Sequence, residues 1–379
     1  MKYDVLTIDT QVIYANGFDL EGGLLAQIAQ FRDGSTRFVL SRVTLREILR
    51  HLTEKAEEAR RGLQSAFRKA QDGQFPLELP DLKAIDPRAV ARSRLEAFVK
   101  ATGAEIIDYD TVSLPEVMDR YFKPAPPFAT GKKKSEFPDA VALLSLEAWA
   151  RANDKRVLAV SKDGDWTAFA DTSGVIDVQT DLGDALADLQ KDTAEAMTIA
   201  ADLLGRIKTD DDWGLRASFY SSLDSEVSGY SATAEAESYH SVEAEEASLT
   251  FLDFDYVEDP AEQAFEIVQA RPDRMVVQVE LKVKVSAEAA FTFQIYDSID
   301  KDYVSLGSSL AQTEDELELT TLVTFDHDEN QEGSPWTVYN VELLGYGEVV
   351  DFGYIEPDYS REWEDDDYGR ETPSENPAS

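Results

Sequence analysis

The chain has 379 residues and a formal net charge of −39, enough length for two or three domains and a large buried core. It contains no cysteine, which excludes disulfides and thiolate metal sites. Met1-Lys2-Tyr3-Asp4 does not resemble a signal peptide, and no apolar run approaches bilayer-spanning length, so a cytoplasmic protein without membrane attachment is expected.

The charge is unevenly spread. Residues 1–200 carry 26 Lys and Arg against 32 Asp and Glu, whereas residues 201–379 carry 10 against 43. An acidic half joined to a nearly balanced one points to two parts with different work, although a solubilising surface or adaptation to salt gives the same imbalance.

Taken in order, Tyr3–Ile8 reads as a first strand, with Val5, Leu6 and Ile8 apolar and Asp9-Thr10 directly after it. Leu20–Phe31 reads as a helix and Arg37–Leu40 as a second strand. Val43–Ala70 has helical spacing, with Leu45, Ile48, Leu49 and Leu52 on one side. Asp72–Pro80 is a Gly/Pro break, Pro87–Thr102 a helix, Glu105–Ile107 a third strand and Pro115–Phe122 a short helix. Lys123–Glu136 is a loop rich in Pro and Lys. Pro138 suits the first turn of a helix, where its missing N–H would have no intrahelical partner, and Ala140–Ala150 is apolar on nearly every side, as in a buried α/β layer. Val157–Val160 is a short buried strand ending at Ser161, with Asp163-Gly164-Asp165 next. Val175–Val178 and a helix from Leu182 complete an alternating β/α series, which argues for a parallel sheet with helices on both faces.

The character changes near residues 190–212. Val277, Val279, Leu281, Val283 and Val285 then alternate with Gln278, Glu280, Lys282 and Lys284. Phe291–Tyr296, Leu317–Phe325, Thr337–Leu343 and Leu249–Phe254 look similar, which suggests an antiparallel β-sandwich or small barrel. The expected division is a first domain over 1–190, a helical linker over 191–212, an acidic β domain over 213–357, and a disordered acidic tail over 358–379.

Several chemistries are excluded. With three histidines and no Gly-x-Ser-x-Gly elbow, a Ser–His–Asp hydrolase has no support. Asp9-Thr10-Gln11-Val12 after the first strand carries no dinucleotide fingerprint, and Gly131-Lys132 is not a P-loop. Carboxylates at strand ends remain. In a parallel α/β sheet the helices run back, so a helix start lies near the carboxyl edge of the sheet, where ligands bind. Asp9 follows the first strand, Asp163 follows the fourth, and Asp139 starts the intervening helix. Glu47 sits a turn into the helix after the second strand. Carboxylates sharing a crevice repel unless protonated or bound to cations, and Mg²⁺ or Mn²⁺ is the natural partner of such oxygen ligands. Each Asp after a strand also fits a plain helix cap, and Asp165 fits a cap for a helix over Trp166–Ala170. His51 lies four residues after Glu47 and is placed either to orient it or as an ordinary surface histidine. Lys132, Lys133 and Lys134 are either a solvated loop or a phosphate contact beside the crevice.

Ile8-Asp9-Thr10, Glu47 with Arg50-His51-Leu52, Lys133–Ala140, and Val160-Ser161-Lys162-Asp163-Gly164-Asp165-Trp166 resemble the PIN-domain nucleases over roughly residues 1–190. Gln11 and Trp166 depart from the usual Asn and Phe. The resemblance implies a Rossmann-like fold and a metal-dependent, mostly RNA-cleaving activity. It also implies catalytic Asp9, Glu47, Asp139 and Asp163, with Asp165 as a fifth carboxylate. Asp9, Asp139 and Asp163 are then the metal ligands, Lys132–Lys134 the substrate contacts, and His51 and Ser161 the orienting candidates. The expectation is a Mg²⁺- or Mn²⁺-dependent ribonuclease with nucleic acid, above all RNA, as partner. Its acidic C-terminal part is expected to regulate or to bind a protein. A nuclease acting on DNA ends or flaps, and a catalytically idle PIN-like scaffold, are the alternatives.

Overall fold

The computed structural model describes residues 2–73, 81–128, 137–190, 193–209, 214–297, 302–328, 335–345 and 347–357. Lys132–Lys134 and the acidic tail from Asp358 lie outside the described residues.

Five short strands form a parallel sheet: β1 (Val5–Ile8), β2 (Arg37–Ser41), β3 (Glu105–Ile107), β4 (Val157–Val160) and β5 (Ile176–Gln179), in the order β3-β2-β1-β4-β5. Every residue of β1 and β4 is buried, as befits central strands covered on both faces. The strand period of two divides them between two apolar clusters. Leu6, Ile8, Leu158 and Val160 enter one, and Val5, Val157 and Ala159 the other.

The helices are α1 (Thr10–Ala15), α2 (Gly23–Gln27), α3 (Arg42–Asp72), α4 (Pro87–Thr102), α5 (Leu114–Phe122), α6 (Phe137–Ala152), α7 (Gly164–Ser173), α8 (Leu182–Asp188), α9 (Thr193–Thr209) and α10 (Leu215–Gly229). The long α3 starts where the Ser41 side chain accepts a bond from the Thr44 N–H at 3.0 Å. The helix expected over Leu20–Phe31 is cut short. The Asp19 carboxylate takes the Gly22 N–H at 3.0 Å, Gly23 is left-handed at φ 55°, and Ile28–Phe31 tightens into a 3₁₀ turn.

The later strands are β6 (Ala232–Glu237), β7 (Ser241–Ala244), β8 (Glu246–Tyr256), β9 (Glu266–Ala270), β10 (Arg274–Asp297), β11 (Asp302–His327), β12 (Trp336–Leu343) and β13 (Val349–Tyr354). The two runs expected at Val277–Val285 and Phe291–Tyr296 are one strand, because Ala287 and Ala289 keep the buried alternation across the small residues between them.

The described residues divide into two compact units. The first takes in those of 1–220 with 258–280 and 320–345. Here β9 pairs antiparallel with the start of β10, with Met275 opposite Ala270, and the end of β11 pairs antiparallel with β12, with Thr321 opposite Leu343. Val268, Val276 and Leu322 are buried in the same apolar cluster as Leu25, Ile28 and Leu186. Gln190 Nε2 donates to Gln30 Oε1 at 3.0 Å and to the Val268 carbonyl at 2.9 Å, tying this region together with polar contacts.

The second unit takes in 221–257, 281–319 and the described residues after 346. Its pairings make a mixed sheet. β10 pairs antiparallel with β8 and β7, β8 antiparallel with β6, and β13 runs parallel to β6. Leu281, Val283, Val285, Phe291 and Phe293 point to its buried face. Among the described residues no helix is long and apolar enough to cross a membrane.

Candidate active site

The register of the parallel sheet creates the first contact. Ile8 of β1 lies opposite Val160 of β4, so the next residues, Asp9 and Ser161, emerge side by side at the carboxyl edge. The Asp9 N–H extends the ladder to the Val160 carbonyl at 2.9 Å. Asp9 holds the N-cap position of α1 in extended conformation, yet its side chain makes no capping bond. Instead its Oδ2 accepts a 2.8 Å hydrogen bond from Ser161 Oγ. Asp9 is 6% exposed and Ser161 fully buried.

Ser161 passes the order on. Its Oγ also accepts the Asp163 N–H at 3.0 Å. Asp163 is the N-cap of α7, with Oδ1 accepting the Asp165 N–H at 2.8 Å. Helix α7 therefore begins at Gly164 rather than at Trp166, and the cap is Asp163. Asp165, half-buried, lies in the first turn. Trp166 anchors the helix in the apolar cluster beneath.

Glu47 comes from the second turn of α3 and is half-buried. Its Oε2 accepts a 3.0 Å bond from Thr10 Oγ1, the first residue of α1. Thr10 is a positioning residue that the sequence reading did not single out, although it stands in the strand-end triplet Ile8-Asp9-Thr10. His51 is directed elsewhere. Its Nδ1 lies 3.1 Å from Glu54 Oε2 and its Nε2 3.0 Å from an Arg50 nitrogen, with the ring against Phe18. Asp139 occupies the first turn of α6, half-buried, at the end of the helix that faces the same sheet edge.

Electrostatics binds three of these groups together. Burial pushes the Asp9 carboxyl above its ordinary pKa, hydrogen bonds from Ser161 and the Thr10 N–H oppose this, and the charges of Asp163 and Glu47 add to the rise. A buried carboxylate bonded by the Ser161 hydroxyl and crowded by the charges of Asp163 and Glu47 offers the oxygen ligands that Mg²⁺ or Mn²⁺ prefers. Among the described residues no three of Asp, Glu and His stand close enough together to hold an ion.

A Rossmann-like parallel sheet flanked by helices, with carboxylates gathered at its carboxyl edge, is the architecture of the PIN-like α/β class. The family model described as PIN domain matches residues 6–166. That span runs from β1 into the start of α7 and includes every carboxylate discussed above; the remainder of the chain lies outside the match. PIN domains form a nuclease-type family. No curated protein and no solved structure shows a significant match to the chain.

Proposed function

We propose that the chain is a Mg²⁺- or Mn²⁺-dependent nuclease that hydrolyses RNA phosphodiesters at the carboxyl edge of the parallel sheet. The observation that carries this reading is Asp9, buried, held by Ser161 and in the field of both Asp163 and Glu47. On this reading Asp9, Asp139 and Asp163 would hold the ion, whose binding has to draw together carboxylates that do not converge on their own; when bound it polarises the phosphodiester and supplies hydroxide from water. Ser161 fixes the direction of the Asp9 carboxylate, and Thr10 does the same for Glu47, which serves as base or second ligand. Lys132, Lys133 and Lys134 supply the contacts to the substrate backbone.

The test is cleavage of single-stranded RNA, single-stranded DNA and flap substrates, with either metal or with chelator. RNA cleavage that needs metal and is lost in Asp139→Asn is expected. Preference for DNA flaps, or undiminished cleavage by Asp139→Asn, overturns the assignment.

A catalytically idle scaffold is the second reading, favoured by the absence, among the described residues, of a converged metal-holding group. RNA binding without cleavage under any metal would establish it.

The acidic C-terminal part acts, on this reading, as a regulator that opposes a polyanionic substrate or receives a basic protein. Charge screening acts over about 8 Å at physiological salt. Removing residues 358–379 should therefore speed cleavage at low salt, with the gain shrinking as salt rises. An equal rate at every salt concentration leaves partner binding as its role.

A further inference from the structure

Helices α3 and α4 pack against each other within the first compact unit, and a groove of 350 Å³ runs between them. Its floor is aliphatic. Leu45 and Leu49 on α3, and Leu95 and Val99 on α4, are each four residues apart and so share a face. Leu95 is buried, but Leu45, Leu49 and Val99 are only half-buried. The rim is basic, with exposed Arg46, Arg92 and Lys100 set around one acid of the lining, Glu96. Arg46 rests over the Tyr109 ring, 5.6 Å from its centroid. Among the described residues neither Arg92 nor Lys100 forms an ion pair.

The chain holds 75 acidic residues against 36 basic ones, so cations gathered around an apolar groove run against its composition. They call for an occupant that is acidic and carries an apolar anchor. Single-stranded nucleic acid is a poor fit, because its bases bind by stacking on aromatic rings and the floor has none. The chain itself supplies a segment of the required kind. Its described residues end at 357, and beyond them Glu362-Trp363-Glu364-Asp365-Asp366-Asp367 sets a tryptophan between carboxylates.

We infer that the acidic tail of this chain docks in the α3–α4 groove, with Trp363 on the aliphatic floor and its flanking carboxylates on Arg92 and Lys100. The dimensions agree. Arg92 and Lys100 are eight residues apart on α4, about 12 Å at a rise of about 1.5 Å per residue. Glu362 and Glu364 of an extended chain stand about 7 Å apart, and their side chains reach outward across the remainder. An extended chain also alternates sides, so the indole faces the floor while both glutamates face the rim. A tryptophan buries about 150–250 Å² and supplies the affinity, whereas the charges at the rim fix the register. The docked tail lies on the helix that supplies Glu47, which gives the acidic segment a seat on the catalytic unit. The docking itself does not depend on the nuclease reading, since it is read from contact and not from cleavage.

The chain contains no cysteine, so a single label can be placed on it. The experiment uses the full chain with Glu96→Cys carrying a bimane fluorophore, which tryptophan quenches on contact. Quenched emission that is unchanged on dilution is expected, and Trp363→Leu should abolish the quench. Arg92→Glu with Lys100→Glu should abolish it too, and adding Glu362→Lys with Glu364→Lys should restore it. Raising salt should weaken the quench, because screening acts over about 8 Å at physiological salt. The altered groove positions are exposed, and a circular dichroism melt like that of the parent confirms that each variant folds. Equal emission with and without Trp363, or a quench untouched by the charge reversal, overturns the docking. A quench that fades on dilution assigns the groove to the tail of a second copy and overturns it as well. So does a label that ignores Trp363 but responds to added single-stranded RNA, which assigns the groove to nucleic acid.

Discussion

At the scale of single residues, the site turns on a carboxylate that folding places at a disadvantage. Burial raises the pKa of Asp9 above its unfolded value, so the folded chain holds that proton to higher pH than the unfolded chain does. Stability from this group therefore falls as pH rises through the interval between the two values, and the full penalty applies above the folded pKa. Asp9→Asn should raise the thermal midpoint at neutral pH, while its Oδ1 still accepts the Ser161 bond. That gain should vanish below the ordinary aspartate range near about 3.9. Melting both proteins across pH checks the sign, and cleavage should be lost at every pH. Ser161→Ala removes the hydroxyl that holds Asp9 and bonds the Asp163 N–H. A loss of about 10–100-fold in metal-dependent turnover is expected, measured beside binding of the same RNA, which should change little. Much of this was legible: an Asp after an apolar strand and a Ser at the end of another are local signals. Their contact was not, because it depends on the register of two strands about 150 residues apart in sequence.

At the scale of elements, α7 carries two duties through one side chain. Asp163 caps the helix and contributes charge to the site. Serine can cap but cannot carry the charge, so the pair Asp163→Ser and Asp163→Ala separates them. Alanine should cost about 1 kcal/mol of stability and serine much less, by urea denaturation, while both abolish cleavage. Below the cap, Trp166 is 2% exposed, and Trp166→Ala should cost about 3–5 kcal/mol. The alternating β/α order was readable because long apolar periods recur. Short elements were harder. Helix α1 has six residues, too few to show a helical period, and the glycines at 22 and 23 hid the true start of α2.

At the scale of the molecule, the first compact unit is not a contiguous stretch of sequence. Val268, Val276 and Leu322 each bury fully against its core, and such side chains contribute about 1.5–3 kcal/mol apiece. Set against a typical net stability of about 5–15 kcal/mol, their removal is decisive. A chain ended at residue 205 should therefore lack a cooperative melt and expose apolar surface, checked by circular dichroism and dye binding against the full chain. Nothing in the sequence announced this. The alternation of β10 shows which of its residues are buried, but a period of two carries no information about what buries them.

That arrangement sets a clock on synthesis. Leu186 emerges from the ribosome well before Leu322, its companion in the same cluster. At about 5–20 residues per second the interval is on the order of ten seconds. Throughout it the nascent chain has the carboxylates but not the wall that completes their unit. On the nuclease reading proposed above, competence then arrives only once synthesis has passed Leu322. Chains released before that point are expected to be inert.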